Sequence, residues 1–238
     1  MKKKLIAVIA LTLSVLTASA AGLGGGIPAE AAEAKTGVGL ANHVLKAYRE
    51  KWKYSYGAYG QIRNGTRYTD CSGLIKSYLW WTGDKSNPNP RLSNVAGSGS
   101  GMLSAAKTKG TIDYSKTSSL PRIHGLILYQ PGHVGVYVGD NVAIDNRDVG
   151  YDIKSEKVFG RPRNKWTTWF KLPQLTYPTS GFAKYDNQTF YYDKGEYVVS
   201  TTRTLSGTVY TFNSNGILTA SAPTQAAAVA AASGTASK

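Results

Sequence analysis

Apolar residues recur at three- and four-residue spacing from Val38 through Ala41, Val44, Leu45, Tyr48 and Trp52, which predicts a helix over 36–52. A second helix is predicted over 72–81, with Leu74, Ile75, Tyr78 and Leu79 as its apolar stripe and Gly83 near its end. Between them, 54–68 reads as irregular and rich in Gly and Tyr. Residues 84–101 read as a loop, marked by the Asn87-Pro88-Asn89-Pro90 run and by Gly97, Gly99 and Gly101. A short helix is predicted over 102–107. The period then changes to two. Strands are predicted over 125–129, 133–138, 142–146 and 151–154, with Val134, Val136 and Val138 on alternate positions. Residues 166–172 close the unit. Helices followed by an antiparallel meander make an α+β order.

The pattern changes again from Thr179. An aromatic hairpin unit over 181–193 is followed by a weaker copy over 205–213, which pairs Phe190 with Tyr210 and Tyr192 with Phe212 at a spacing of 20. Residues 222–238 are rich in Ala, Ser and Thr and read as a flexible tail. At the other end, Lys2, Lys3 and Lys4 precede an apolar run from Leu5 to Leu16. Small residues follow at Ala18-Ser19-Ala20, with later cleavage alternatives up to Ala34. This is the pattern of a secretory signal, and its apolar run is too short to span a bilayer. The reading therefore divides into a signal segment (1–34), a main domain (35–176), a hairpin repeat module (177–221) and the tail (222–238).

Composition sharpens the compartment and the partner. The chain has 238 residues with 28 Lys and Arg against 14 Asp and Glu, a net charge of +14. Loss of the signal segment removes three Lys and two Glu, so the basic surplus stays with the mature chain. A surplus of this size favours anionic partners. Outside the cell that points to wall polymers such as teichoic acids rather than nucleic acid. Stable membrane insertion is not expected. The single cysteine, Cys71, cannot form an internal disulfide and stands as a candidate reactive thiol. Three scattered His and one Cys do not make a zinc-ligand spacing, so neither a metal nor another cofactor is expected.

Cys71 lies in Asp70-Cys71-Ser72-Gly73, at the start of the second predicted helix. A thiol there feels the positive end of the peptide dipoles, which favours the thiolate. Such a nucleophile needs a base. Of His43, His124 and His133, the last opens the Val-alternating strand and has Gly132 and Gly135 beside it, which leaves room for a substrate backbone. The base needs an orienting group. If Gly139-Asp140-Asn141 is a three-residue loop, Gly135 faces Asp145, and His133 and Asp145 are diagonal neighbours on one face. A two-residue Asp140-Asn141 loop would put them on opposite faces. Asn146 and Asp148 are competing orienters.

Asp70-Cys71-Ser72-Gly73-Leu74 and Gly132-His133-Val134-Gly135-Val136-Tyr137-Val138-Gly139, with Tyr54-Ser55-Tyr56-Gly57 upstream, resemble the motifs of the NlpC-type cell-wall cysteine peptidases over roughly 40–172. The resemblance implies a papain-like α+β fold, helices packed on an antiparallel sheet, and hydrolysis of amide bonds in peptidoglycan stem peptides. It implies Cys71 as nucleophile and His133 as base, with Tyr54, Tyr56, Asp70 and Ser72 along the substrate cleft. Two positions depart from the family pattern. The third catalytic position is commonly His there and is Asp145 here, and the usual Gly-Asp before the His strand is Gly125-Leu126. The C-terminal hairpins resemble choline- or glucan-binding wall repeats, with Tyr185, Phe190, Tyr192, Tyr210 and Phe212 as ring platforms. Neither copy carries the Trp usual in that repeat type. The expectation is a secreted, wall-associated peptidoglycan endopeptidase with a Cys-His-Asp mechanism. An N-acetylmuramoyl-L-alanine amidase using the same pair, and a non-catalytic wall-binding protein on the same scaffold, are the alternatives.

Overall fold

The computed structural model describes residues 34–162 and 165–227. The secretory-signal reading and most of the tail reading lie outside the described residues. Chain order begins with helix α1 (Gly37–Arg49) and a small sheet of β1 (Lys53–Tyr54), β2 (Tyr59–Arg63) and β3 (Thr66–Thr69). Helices α2 (Cys71–Leu79) and α3 (Gly99–Ala105) follow. A six-stranded antiparallel sheet comes next, from β4 (Lys109–Thr111), β5 (Ile127–Gln130), β6 (His133–Gly139), β7 (Val142–Asn146), β8 (Ile153–Lys157) and β9 (Thr168–Phe170), in the spatial order β4-β9-β5-β6-β7-β8. Two three-stranded antiparallel sheets end the described chain: β10 (Gly181–Tyr185), β11 (Gln188–Asp193) and β12 (Glu196–Tyr197), then β13 (Thr201–Leu205), β14 (Thr208–Phe212) and β15 (Leu218–Pro223). The class is α+β.

Local chemistry sets the element ends. Thr36 caps α1 by accepting the Gly39 N–H at 2.9 Å, and the chain leaves that helix through Lys51 in the left-handed region. The helix is therefore three residues shorter at its C-terminus than the periodicity predicts. Ser98 caps α3 and starts it three residues earlier than expected. The segment 54–68, read as irregular, holds the β2–β3 hairpin. Its turn is Asn64-Gly65, both with positive φ, the pair that a tight hairpin turn favours. The Gly and Tyr content masks this signal.

The central sheet is buried on both faces. Val134, Val136, Val138 and Ile144 on one face meet Leu40, Ala41 and Val44 of α1 and Leu74, Ile75 and Leu79 of α2. On the other face Leu126, Leu128, Tyr137 and Ala143 share a second core with Trp166, Phe190, Tyr192 and Tyr197. The first C-terminal hairpin thus supplies core residues to the sheet. It does so around His124, whose ring lies 4.7 Å from Tyr185, 4.6 Å from Phe190 and 4.8 Å from Tyr197. The Tyr192 hydroxyl takes the His124 backbone N–H at 3.2 Å and meets its Nδ1 at 2.8 Å.

Two histidines are held neutral in these cores. Burial pulls His43 down to about 3, helped by Lys35, Arg67 and Lys46, and burial alone pulls His124 to about 3. Both protonate in the unfolded chain below about 6.5 but stay neutral when folded. Their contribution is thus complete above that pH and is lost as pH falls toward 3, at about 1.4 kcal/mol per pH unit for each group. Urea unfolding followed from pH 7 to 5 is expected to show close to two protons taken up on unfolding near pH 5. Uptake of fewer than one would show that neither imidazole is shielded as described.

Candidate functional site

Helix α2 begins with Cys71 because Asp70 caps it. One Asp70 oxygen takes the Gly73 N–H at 2.5 Å and the Ser72 hydroxyl at 3.0 Å, and the other takes the Gly57 N–H at 3.0 Å. A Cβ on Gly73 would stand 1.9 Å from the Ala58 carbonyl oxygen, so only glycine lets the helix start come this close to the loop before β2. The same carbonyl takes the Asp70 N–H at 2.8 Å. The first-turn amides of a helix have no intrahelical acceptor, so the Cys71 N–H is available at the site.

His133 is the first residue of β6, and it lines one cleft with Cys71. Its Nε2 lies 2.7 Å from Asp145 Oδ2, which leaves Nδ1 for the thiol. The ring stacks on Trp166 at 5.7 Å with an 18° interplanar angle. The diagonal His133–Asp145 contact is the one expected, but the loop is not. Asp140 and Asn141, both with positive φ, form a two-residue turn with Gly139 facing Val142. A bulge between Tyr137 and Gly139 leaves Val138 unpaired and restores the register, so that Val136 faces Ile144. A two-residue loop alone would have reversed the faces. Gly135 keeps the space open, since a Cβ there would meet Trp166 at 2.7 Å and Asp145 Cβ at 3.0 Å.

Asp145 is 2% exposed and receives more than the imidazole. Lys165 Nζ donates to its Oδ2, and Arg147 Nε reaches the same oxygen at 3.1 Å. Burial works against the carboxylate, but the His133 hydrogen bond and the Lys165 ammonium pull it down to about 2. Burial also lowers His133, yet its hydrogen bond to Asp145 and the nearby Cys71 prevail and hold it above its ordinary value. Lys165 is lowered by burial despite Asp145, and its ammonium lies 4.4 Å over the Trp166 ring. Arg147 continues outward to Glu156, which also pairs with Arg161.

The competing orienters serve elsewhere. Asn146 is fully buried and donates to the Lys53 and Thr69 carbonyls and the Thr69 hydroxyl, tying β7 to the small sheet. Asp148 accepts the neighbouring Val149 N–H.

Cys71 and His133 open on a cleft of about 360 Å³ that Tyr54, Tyr56, Asp70, Ser72 and Lys76 also line. Tyr56 stands 89% exposed at its rim. Burial and the nearby Cys71 raise the Tyr54 phenol. Asp70 and Ser72 border the cleft, but their polar atoms are engaged within the chain, Ser72 Oγ also lying 3.2 Å from Gly97 O. They shape the cleft rather than offering free ligands to it.

Among the ring platforms expected in the hairpins, Phe190, Tyr192 and Phe212 are buried and present no face to solvent: the first two pack in the second core, and the Phe212 ring lies 6.2 Å from Tyr191. Tyr185 is half-buried against His124. Tyr210 is half-buried, 5.0 Å from Phe182. Among the described residues no cluster of His, Cys, Asp and Glu could hold a metal ion.

Sequence reading did not find Lys165, Trp166, Arg147 or Lys76. Arg147 carried a signal, since it lies two residues beyond Asp145, just past the end of β7, where strand alternation points to the same face. Lys165 and Trp166 carried none, as only tertiary contacts bring them to Asp145 and His133.

No family model and no curated protein matches the chain. Solved structures similar to it include the peptidoglycan hydrolase RipB from Mycobacterium tuberculosis, at 18% identity over 65% of this chain and 74% of that one, with a TM-score of 0.36. Another is the P60 domain of the M. avium subspecies paratuberculosis antigen MAP1204, at 18% identity over 56% and 95%, with a TM-score of 0.34. A third is a mutated form of the Resuscitation Promoting Factor Interacting protein RipA, at 17% identity over 57% and 63%, with a TM-score of 0.36. The chain thus spans slightly less than two thirds of the RipA chain.

Two substitutions test how the site is built. Gly73→Ala is expected to lower stability by about 2 kcal/mol or more in urea titration, since a methyl group would have to displace backbone. Asp145→Ala is expected to destabilise the fold more than Asp148→Ala, because it takes the carboxylate from the Lys165 ammonium at a buried site and leaves Arg147 with Glu156 alone. Equal midpoints for the Asp145 and Asp148 variants would mean that Lys165 and Arg147 find solvent instead.

Proposed function

We propose that this protein is a secreted, wall-associated thiol hydrolase that cleaves amide bonds in peptidoglycan stem peptides, with Cys71 as nucleophile, His133 as base and Asp145 as orienter. The observation that carries this reading is a thiol at a helix start and an imidazole bordering one open cleft, with the imidazole hydrogen-bonded to a buried carboxylate. The motifs around Cys71 and His133 resemble those of NlpC-type wall peptidases and support the substrate class. The basic surplus supports retention on anionic wall polymers such as teichoic acids.

The chemistry follows from the groups present. His133 takes the Cys71 proton, and the thiolate attacks the scissile carbonyl carbon. Charge on the carbonyl oxygen meets the Cys71 backbone N–H at the positive end of α2. His133 then returns the proton to the leaving amine as the C–N bond breaks, which leaves a thioester on Cys71. Water attacks the thioester with His133 again as base, and the acid product leaves with the thiol restored. Asp145 fixes the imidazole so that Nδ1 faces the thiol, and it stabilises the imidazolium between the two transfers.

Digestion of purified peptidoglycan, with mass analysis of the released fragments, tests the proposal. Wild-type protein is expected to release fragments, and Cys71→Ala and His133→Ala are each expected to release none, because the pair acts as a unit. Asp145→Asn is expected to reduce turnover at least about tenfold per folded molecule. Fragment masses separate peptide–peptide from sugar–peptide cleavage, hence the endopeptidase from the amidase. Release that persists in Cys71→Ala would refute the thiol mechanism.

A further inference from the structure

The cleft beside Cys71 contains two charged side chains, and they are in opposite situations. Asp70 has its oxygens occupied by the Gly73 and Gly57 N–H groups and the Ser72 hydroxyl. Lys76 is more than nine-tenths buried, yet it lines the cleft. Its Nζ donates to the Gly97 carbonyl at 3.0 Å, and among the described residues no carboxylate lies within ion-pair distance of it. An ammonium has three donors, and one is used. A cation taken out of water without an anionic partner is costly, and a wall of this kind favours an anion that comes with the substrate.

The ammonium is also well placed. Helical side chains lean toward the N-terminus of their own helix, so Lys76 reaches back along α2 to the turn that holds Ser72. The contacts agree: Lys76 Nζ donates to the Gly97 oxygen at 3.0 Å, and Ser72 Oγ lies 3.2 Å from the same oxygen. The charge therefore sits beside the residue next to the nucleophile. The Trp80 ring centroid lies 5.9 Å from Nζ.

We infer that Lys76 is a specificity residue that pairs with a free carboxylate of the bound peptide, so that the site takes acidic stem peptides in preference to their amidated forms. This rests on the hydrolase reading for the identity of the peptide, but not for the pairing itself. Binding is therefore measured apart from turnover. The probes are a synthetic stem tetrapeptide and its mono-amidated forms, each with one carboxylate replaced by the primary amide. Binding is read by calorimetry on full-length Cys71→Ala protein, and kcat/KM on the protein with Cys71 intact.

The parent peptide is expected to bind about 10- to 100-fold more tightly than one of the mono-amidated forms, the range of a charge-assisted hydrogen bond. Lys76→Gln is expected to bring that ratio near one, and Lys76→Arg to keep a preference for the acid. Because each ratio is taken within one variant, partial loss of folded protein cancels. A flat series in the Cys71→Ala background, or a ratio that Lys76→Gln leaves unchanged, would overturn the assignment. A Lys76-dependent ratio in binding without Cys71-dependent turnover would sink the hydrolase reading and leave the carboxylate pairing standing.

Discussion

A carboxylate removed from water has to be compensated by its neighbours, and Asp145 is compensated from three directions. The His133 imidazole comes from β6, the Arg147 guanidinium from the end of β7, and the Lys165 ammonium from the segment before β9. Each of these groups is held by the need to satisfy the others. The arrangement fixes the imidazole at the sheet's end, with Trp166 as a flat wall behind it. It also divides the carboxylate's charge among three partners. Lys165 opposes protonation of His133, while Asp145 and Cys71 favour it. The balance at the imidazole is therefore set by residues on segments distant in sequence.

The thiol side rests on a different constraint, close backbone approach. Asp70 satisfies the helix start and the loop at Gly57 together, and Gly73 lets that helix start sit against the Ala58 carbonyl. The nucleophile's position thus depends on a cap and a missing Cβ, both within three residues of Cys71. The imidazole's position depends on strand register. The two halves of the site meet only because α2 packs on the face of β6 that carries Val134 and Val136.

The C-terminal hairpins change how the main unit must be viewed. Leu126, Leu128, Tyr137 and Ala143 form an apolar sheet face that needs cover, and Phe190, Tyr192 and Tyr197 provide part of it. His124 lies among these rings as a neutral imidazole, tied to the Tyr192 hydroxyl. Three of the rings that look like ligand platforms along the chain, Tyr185, Phe190 and Tyr192, meet the protein's own histidine instead.

Much of this was legible in the sequence, for physical reasons that differ by element. The helices, the α+β order and the strands read between 125 and 154 follow from local periodicity. The cap at Asp70 and the placement of Cys71 at a helix start are local too, because both depend on residues within one turn. The His133–Asp145 pairing follows from an alternation rule, though by another route than the simplest loop. A two-residue turn and a compensating bulge at Val138 give the register that a three-residue loop would have given, and local sequence does not distinguish them. Tertiary structure alone decided the rest. Lys165 and Trp166 reach the site by tertiary contact, Lys76 acquires its meaning because no carboxylate among the described residues pairs with it in the cleft, and Phe190 and Tyr192 are buried because a sheet face elsewhere required cover. Each of these depends on contacts between segments far apart along the chain, which no window of residues encodes.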